Sequence, residues 1–391
     1  MHQVLFDVTP LSTNSRFRGI GTYASRLGEA LTAAMARGDV ADLALSHLTG
    51  RWTFDRHAAG AALPDPSGRP LPYALYYALK HTSLAAQLVR HRPSLFHATD
   101  PKGTPELPGV KTVVTCHDLI PTLLGPPYRP TWLPRIVTAT MDRVRYRLPD
   151  HVIAISDWTR RDVQAVTGLP SDRVTVVHHG VDHHHYRSAP EPQDADVARR
   201  IVGSDRFFIY VGGFDERKRV PEMVAAFANA AREDRGGDSR LLICGNVPAR
   251  VEADLRARAD SLGVRDRVVM AGFVPIEAMP SLYRRSLGHV MMSTYEGFGM
   301  TLLEAMACGA PVIAANASCV PEIAGDGALL LPPLDDAALR EAFSSLAGDA
   351  ERRRSLSHAA LTRAATFTWE RCARETLSVY RKVLEIAPPL A

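Results

Sequence analysis

Short runs rich in Val, Ile and Leu alternate with helix-patterned stretches along the whole 391-residue chain. In the first half the strand candidates are VLFDV (4–8), LALSHL (43–48), LFHATD (95–100), VVTCHDL (113–119), VIAIS (152–156) and VTVVHHG (174–180). Helical patterns lie between several of them, among them Gly21–Arg37, Thr131–Leu148 and Asp157–Thr167. The second half repeats the plan with FFIYVGG (207–213), LLICG (241–245), RVVMAGF (267–273), HVMMST (289–294), PVIAA (311–315) and ALLLPP (328–333). Strands separated by helices predict parallel sheets covered on both faces. Two successive sets of about six predict an α/β chain of two doubly wound domains.

The polar stretch APEPQDADVARR (189–200) reads as the join. It sets expected boundaries of 1–187 for the first domain, 188–200 for a linker and 201–367 for the second domain. The tail 368–391 opens with a long amphipathic helix, expected to pack across either domain and to cross back to the first.

Hydrophobic residues make up 46% of the chain and charged residues 23%, enough to bury sizeable cores without staples. The five cysteines (Cys116, Cys244, Cys308, Cys319 and Cys372) are odd in number and form no C-x-x-C pair. That pattern argues against a disulfide framework or structural zinc site and for a reducing compartment, hence a cytoplasmic protein. The opening MHQVLFDVTP meets Asp7 after a very short apolar run and reads as a first strand, not a signal peptide. No apolar run approaches the roughly 20 residues needed to span a bilayer.

Residues 1–187 carry 21 Lys and Arg against 15 Asp and Glu, and residues 188–391 carry 25 against 27. The mildly basic first half suits either an ordinary solvated surface or an anionic acceptor or membrane face, including peripheral contact with the inner side of a membrane. Nucleic acid is disfavoured, because no basic stripe is interleaved with aromatics.

The predicted strands repeatedly end in polar residues or glycine: Asp100, His117-Asp118, Ser156, Gly180, Gly212-Gly213, Gly245, Gly272 and Glu296. Ligands bind outside the carboxyl ends of strands in open α/β sheets. If the two sheets face each other across a cleft, two substrates can meet there, one per domain. The sharpest of these ends is STYEGFGMTLLEAMACGAPVIAA (293–315). HVMMST is a strand, MTLLEAMAC a helix closed by Gly309, and the EGFG turn lies between them. Glycines let backbone approach a ligand, and a helix N-terminus favours an anion such as a phosphate. Glu304 then sits about 7–8 Å further along the axis, roughly the separation of a nucleotide's diphosphate from its ribose hydroxyls. A carboxylate accepts hydrogen bonds from a vicinal diol, which suits Glu304 to a ribose and Glu296 to a sugar beyond the far phosphate. Alone, the pattern is also met by two helix-end carboxylates without a ligand.

With its flanks, E-x7-E in EGFGMTLLEAMACGAPV resembles glycosyltransferase family 4, the large group of retaining GT-B enzymes. YVGGFDERK (210–218), AGFVPIEAMPSLYRRS (271–286), VPEIAGDGALLLPP (320–333), TCHDLIP (115–121), VIAISDWTRRD (152–162) and HGVD (179–182) extend the resemblance over nearly the whole chain. RGIGTY (18–23) resembles the loop after the first strand in a branch that includes bacterial mannosyltransferases acting on surface polysaccharides. The resemblance implies GT-B architecture: two Rossmann-like domains, an N-terminal one for the acceptor and a C-terminal one for the nucleotide sugar. It implies that Glu304 binds ribose and Glu296 the donor sugar. The backbone of Gly297, Phe298, Gly299, Met300 and Thr301 would hold sugar and phosphate near Gly213, Val274 would lie beside the base, and Leu303 beside the ribose. Arg217 and Lys218 look like the pair that neutralises the diphosphate, and His117 like the histidine near the reacting centre. Arg18, Gly19, Gly21, Tyr23 and Asp118 are the weaker, acceptor-side candidates. SRFRG (15–19) and PYALYYALK (72–80) are candidate segments for acceptor specificity, the latter as an amphipathic stretch touching a membrane or lipid-linked acceptor, with a core helix as the alternative.

Two departures from the family pattern stand out. Some relatives carry an arginine where Gly213-Phe214 stands, leaving Arg217 and Lys218 as the cations; the usual Asn before Gly-Val-Asp is His179. No D-x-D stands at a strand end, and Asp194-Ala-Asp196 reads as a solvated linker pair. Two cations and a helix N-terminus can stabilise the leaving diphosphate, so no metal or other cofactor is expected beyond the donor substrate. HHGVDHHHY (178–186) reads as incidental surface histidines rather than a metal site. His117 has the alternative of a structural histidine, Asp118 that of capping the next turn, and the arginines 135, 143, 145 and 147 that of a solvated helix side. The expected activity is retaining transfer of a hexose, GDP-mannose favoured with UDP- and dTDP-sugars open, to a saccharide or small-molecule acceptor, lipid-linked acceptors included. The rivals are a nucleotide-sugar epimerase or hydrolase, and a nucleotide-sugar-binding protein without transfer.

Overall fold

In the computed structural model of the protein, described over residues 1–12, 16, 18–38, 40–48, 54–55, 73–102, 104–125, 128, 135–233 and 237–386, every apolar run identified above forms a strand. The chain divides into two units, Met1–Gly180 with Trp369–Ala391, and Val181–Thr368.

The first unit holds β1 (His2–Asp7), β2 (Leu43–Leu48), β3 (Phe54–Asp55), β4 (Leu95–Ala98), β5 (Lys111–Cys116), β6 (His151–Ala154) and β7 (Val174–Val176), in the order β3-β2-β1-β4-β5-β6-β7. Neighbours are parallel except β3, which runs antiparallel to β2. A two-residue strand leaves no periodicity to read, so β3 was not expected. The helices are α1 (Gly19–Ala36), α2 (Tyr73–His91), α3 (Ile120–Leu123), α4 (Arg135–Arg147) and α5 (Asp157–Thr167). The start and stop of α5 follow from local chemistry. Ser156 Oγ accepts from the Thr159 N–H at 3.1 Å, and Gly168 ends the helix at φ 70°. Ser15, Phe17 and Pro72, along with the side chains of 73–80, lie outside the described residues.

The second unit begins with α6 (Asp194–Val202) and holds β8 (Phe207–Val211), α7 (Val220–Glu233), β9 (Arg240–Cys244), α8 (Ala249–Ser261), β10 (Val268–Gly272), α9 (Met279–Arg285), β11 (Gly288–Met291), α10 (Met300–Ala307), β12 (Val312–Ala315), α11 (Val320–Ala324), β13 (Leu329–Leu331), α12 (Asp336–Gly348) and α13 (Ala350–Ala364). Its sheet is wholly parallel, in the order β10-β9-β8-β11-β12-β13. Strands β8, β11 and β12 are buried almost end to end, and Phe208, Phe227 and Phe343 pack edge to face beneath the sheet. The winding reverses between β8 and β11, so their carboxyl ends open the crevice in which such sheets bind ligands. In the first unit the reversal lies between β1 and β4.

The last helix, α14 (Trp369–Val383), packs on α1, and its Arg381 forks onto Asp42 at 2.9 and 3.0 Å. Residues 181–187, expected with the first domain, group with the second unit, where Tyr186 is buried. The stretch expected as a solvated linker is corrected in part. From Asp194 onward it is helical and packs on α9, and Asp194 is buried and held by both ends of the Arg284 guanidinium at 2.6 and 2.7 Å. Polar composition hid an acid desolvated together with a distant arginine; of the two acids Asp194 and Asp196, Asp196 stays exposed. Burial pushes the Asp194 carboxyl up, but the Arg284 hydrogen bonds and charge override this and bring it down to about 2. Breaking a buried pair strands its partner's charge. Asp194→Ala is therefore expected to cost about 3 kcal/mol in denaturant unfolding, and a loss within error of zero would contradict the pair's burial.

Candidate active site

The loops after β8 and β11 meet at the reversal point of the second unit. After β8, Gly212 donates to the Cys244 carbonyl at 3.1 Å, and Gly245 in turn donates to Gly272 at 2.8 Å, so the ends of β8, β9 and β10 are stitched together through glycines. A Cβ at Gly245 would fall 2.1 Å from the Gly212 oxygen, and its φ of +147° disfavours any other residue. The chain then passes Gly213, whose carbonyl accepts from the Tyr210 hydroxyl, and turns through Glu216–Lys218. The Thr294 N–H donates to the Arg217 carbonyl at 2.8 Å, which fastens this turn to the segment leaving β11.

Glu296 lies at the junction. Its carboxylate pairs with Lys218 through Oε1 and with Arg217 Nη1 through Oε2 at 3.1 Å, and its side chain is only 12% exposed. Its N–H donates to Ser318 Oγ at 2.9 Å. Burial alone would raise this carboxyl, but the adjacent Lys218 and Arg217 charges hold it below the ordinary range. Arg217 is also anchored by Asp215 at 2.9 Å and by the Tyr295 carbonyl at 2.7 Å.

Beyond Glu296, Gly297 and Phe298 are buried, with Phe298 edge-on to Phe367. Gly299 then takes φ 94° as the residue before α10, where Met300 and Thr301 form the partly exposed first turn. A left-handed residue is required here to turn a strand exit sharply into a helix, and glycine adopts it without a Cβ clash. The first-turn N–H groups of α10 lack intrahelical acceptors and carry the positive end of the helix dipole.

Glu304 lies one turn deeper on α10. Burial raises its carboxyl to about 8, with the hydroxyls of Tyr186 and Tyr283 only partly opposing the rise. Neither tyrosine was singled out from the sequence; Tyr186 ends the histidine-rich run, and only its place after that run could have marked it. Val274 is buried just past the end of β10. Leu303 is fully buried on α10.

In the first unit, His117 follows β5 and its Nε2–H donates to the Thr99 carbonyl at 2.9 Å, while Thr99 Oγ1 reaches back to the Asp7 carbonyl at 2.7 Å. The histidine therefore sits at the reversal between β1 and β4, its ring held in one tautomer. Burial is the main reason its pKa falls below the ordinary range. Asp118 accepts from the Ile120 N–H at 3.0 Å, which is the capping role. Arg18 and Gly19 are exposed where α1 begins, and Gly21 is buried. Tyr23, expected on the acceptor side, is instead fully buried: its hydroxyl bonds to Thr115 at 2.8 Å, and Thr115 is bonded to His97, which bonds to Tyr380. A residue facing into the helix–sheet layer cannot present a surface to a substrate. The reading of the histidine run as incidental is likewise corrected for His179, which is buried and stacked with Tyr23 and Trp369 at 4.8 and 5.8 Å. Among the described residues no group of three or more His, Cys, Asp or Glu is placed to hold a metal, and no helix is long and apolar enough to cross a membrane.

The raised Glu304 carboxyl has a stability consequence with a definite sign. Between about pH 4.5 and 8 the folded state holds a proton that the unfolded state has released, so this group makes stability fall as pH rises through that window. Glu304→Gln removes the effect. Thermal melts are expected to show the variant gaining on the wild type as pH moves from 5 to 8.5, and a variant that loses ground over that range would contradict the raised carboxyl of Glu304.

Two family models divide the chain between them. Glycosyltransferase Family 4 matches residues 17–185, and Glycosyl transferases group 1 matches residues 193–363. The chain is 26% identical over 277 residues to O-antigen chain mannosyltransferase B of Escherichia coli, covering 69% of this chain and 70% of that protein. It is 30% identical over 303 residues to alpha-maltose-1-phosphate synthase of Mycolicibacterium smegmatis, covering 70% and 74%. The crystal structure of Anabaena Alr3699/HepE in complex with UDP and glucose superposes with a TM-score of 0.69 at 16% identity, over 98% of this chain and 100% of that one. With its two wound sheets and the E-x7-E turn at the second reversal point, the chain belongs to glycosyltransferase family 4 and is a GT-B glycosyltransferase.

Proposed function

We propose that the protein transfers a hexosyl group from a nucleotide sugar to a saccharide or small-molecule acceptor with retention of configuration, with GDP-mannose as the leading donor. The observation that carries this reading is the grouping of Glu296, Arg217, Lys218 and the N-terminus of α10 at the reversal between β8 and β11, with Glu304 one turn further in. Two cations and a helix end suit a diphosphate, and a deeper carboxylate flanked by hydroxyls suits a ribose diol. The UDP held by the Anabaena relative supports a nucleotide-sugar donor.

In this reading Arg217, Lys218 and the first-turn N–H groups of α10, with Gly297 to Thr301 and Gly213 close by, stabilise the charge that develops on the leaving diphosphate. Glu304 holds the ribose, Val274 lies beside the base, and Glu296 orients the sugar. His117 positions sugar hydroxyls, a role its fixed tautomer supports. Positive charge from side chains and a helix end can serve the leaving group without a metal. The reaction fits a front-face path in which the departing phosphate takes the acceptor proton. GDP-mannose is favoured by the RGIGTY segment and by the mannosyltransferase relative; a UDP-sugar is the second reading, favoured by the Anabaena complex. Acceptors joined to a lipid, and peripheral membrane contact through the first unit, are consistent with its basic balance.

A panel of GDP-, UDP- and dTDP-hexoses, with nucleotide release as readout, tests the donor: GDP-mannose is expected to turn over fastest, and turnover of none would overturn the proposal. Glu304→Ala is expected to weaken nucleotide binding at least about tenfold, and unchanged affinity would refute the ribose assignment. Activity is expected to survive a chelator; complete loss restored by magnesium would refute the metal-free step.

A further inference from the structure

The two cations suited to a diphosphate already have an anion. Lys218 and Arg217 converge on opposite oxygens of one carboxylate, Glu296, and all three side chains are 12–15% exposed. The two cations are not held equally. Arg217 is fixed independently by Asp215 and the Tyr295 carbonyl, whereas the ion pair of Lys218 is with Glu296. Glu296 is itself held by its backbone, the N–H donating to Ser318 Oγ and the carbonyl accepting from Cys319 Sγ at 3.2 Å, so its side chain can swing without moving the turn.

Resting on the nucleotide-sugar reading of this site, we infer that Glu296 is an exchangeable stand-in for the donor's diphosphate. It occupies Lys218 in the empty site, yields that lysine to the incoming diphosphate, and turns to the hydroxyls of the donor sugar. The exchange is a specificity device. A nucleotide sugar gives the displaced carboxylate new donors, since its hydroxyls can hydrogen-bond an anion. A nucleoside diphosphate takes the lysine and offers the carboxylate nothing in return, leaving a largely buried anion with Arg217 as the one remaining cation of the two. The site therefore discriminates against its own spent product, and Glu296 returning to Lys218 helps expel it. The depressed carboxyl of Glu296 agrees, since it keeps the side chain anionic in the empty site.

The test is calorimetric titration of GDP, UDP and dTDP, and of the corresponding hexose nucleotides, into wild type, Glu296→Gln, Glu296→Asp and Asp215→Asn, with circular dichroism confirming each fold. Glu296→Gln is expected to bind the free diphosphate about tenfold more tightly than wild type while its preference for the sugar-bearing form falls by about the same factor. Glu296→Asp, whose carboxylate falls short of Lys218, is expected to move in the same direction by less and carries the test if the Gln variant does not fold. Asp215→Asn removes a carboxylate from Arg217 without touching Lys218 and is expected to change diphosphate affinity several-fold less. Unchanged or weaker diphosphate binding in both Glu296 variants overturns the exchange, as does an equal gain in Asp215→Asn, which would reduce the effect to net charge. Failure of the wild type to bind any of the nucleotides overturns instead the donor reading on which the exchange rests.

Discussion

The second unit is organised around a small group of charges at the point where its sheet reverses. Bringing Glu296 against Arg217 and Lys218 requires the exits of β8 and β11 to lie side by side, and the strand order provides that adjacency. The Thr294-to-Arg217 backbone bond fixes their spacing, and the left-handed Gly299 aims α10 at the same place. Each charge is costly to bury alone and tolerable in company. The loops are thus held to a geometry that no single one of them would adopt by itself.

The same site separates two carboxylates by environment. Glu296, beside two cations, stays ionised; Glu304, between tyrosines in an apolar helix layer, is held close to neutral near physiological pH. Glu296 lies in the turn before α10 and Glu304 on the helix, and their surroundings give one the character of a counter-ion and the other that of a hydrogen-bonding group able to switch between donor and acceptor. In the first unit the polar groups at the sheet reversal are instead joined by hydrogen bonds and ring stacking, with His117 tied to Thr99 and neighbouring Tyr23 and His179.

Much of this was legible in the residues. The strand positions followed from β-branched runs, and the E-x7-E turn followed from glycines between a strand and a helix. What escaped was whatever depended on partners far away in the chain. Asp194 looked like a solvated acid because nothing in its neighbourhood announces Arg284, ninety positions on. Tyr23 looked like part of a ligand loop because its segment follows the first strand, whereas helical phase turns the side chain inward onto Thr115. His179 was masked by the histidines around it, and its burial depends on Trp369 from the far end of the chain. The tyrosines that tune Glu304 come from the end of the histidine-rich run and from the segment 271–286, where nothing local marks either as a partner of Glu304. Local pattern reports periodicity and turns; desolvation is set by tertiary partners, which pattern does not contain.

A crystal structure of the protein with a bound nucleoside diphosphate tests the central claim most directly. The account predicts the phosphates against Arg217, Lys218 and the first turn of α10, with the ribose hydroxyls on Glu304. A nucleotide seated elsewhere, with the β8 and β11 exits untouched, would contradict it.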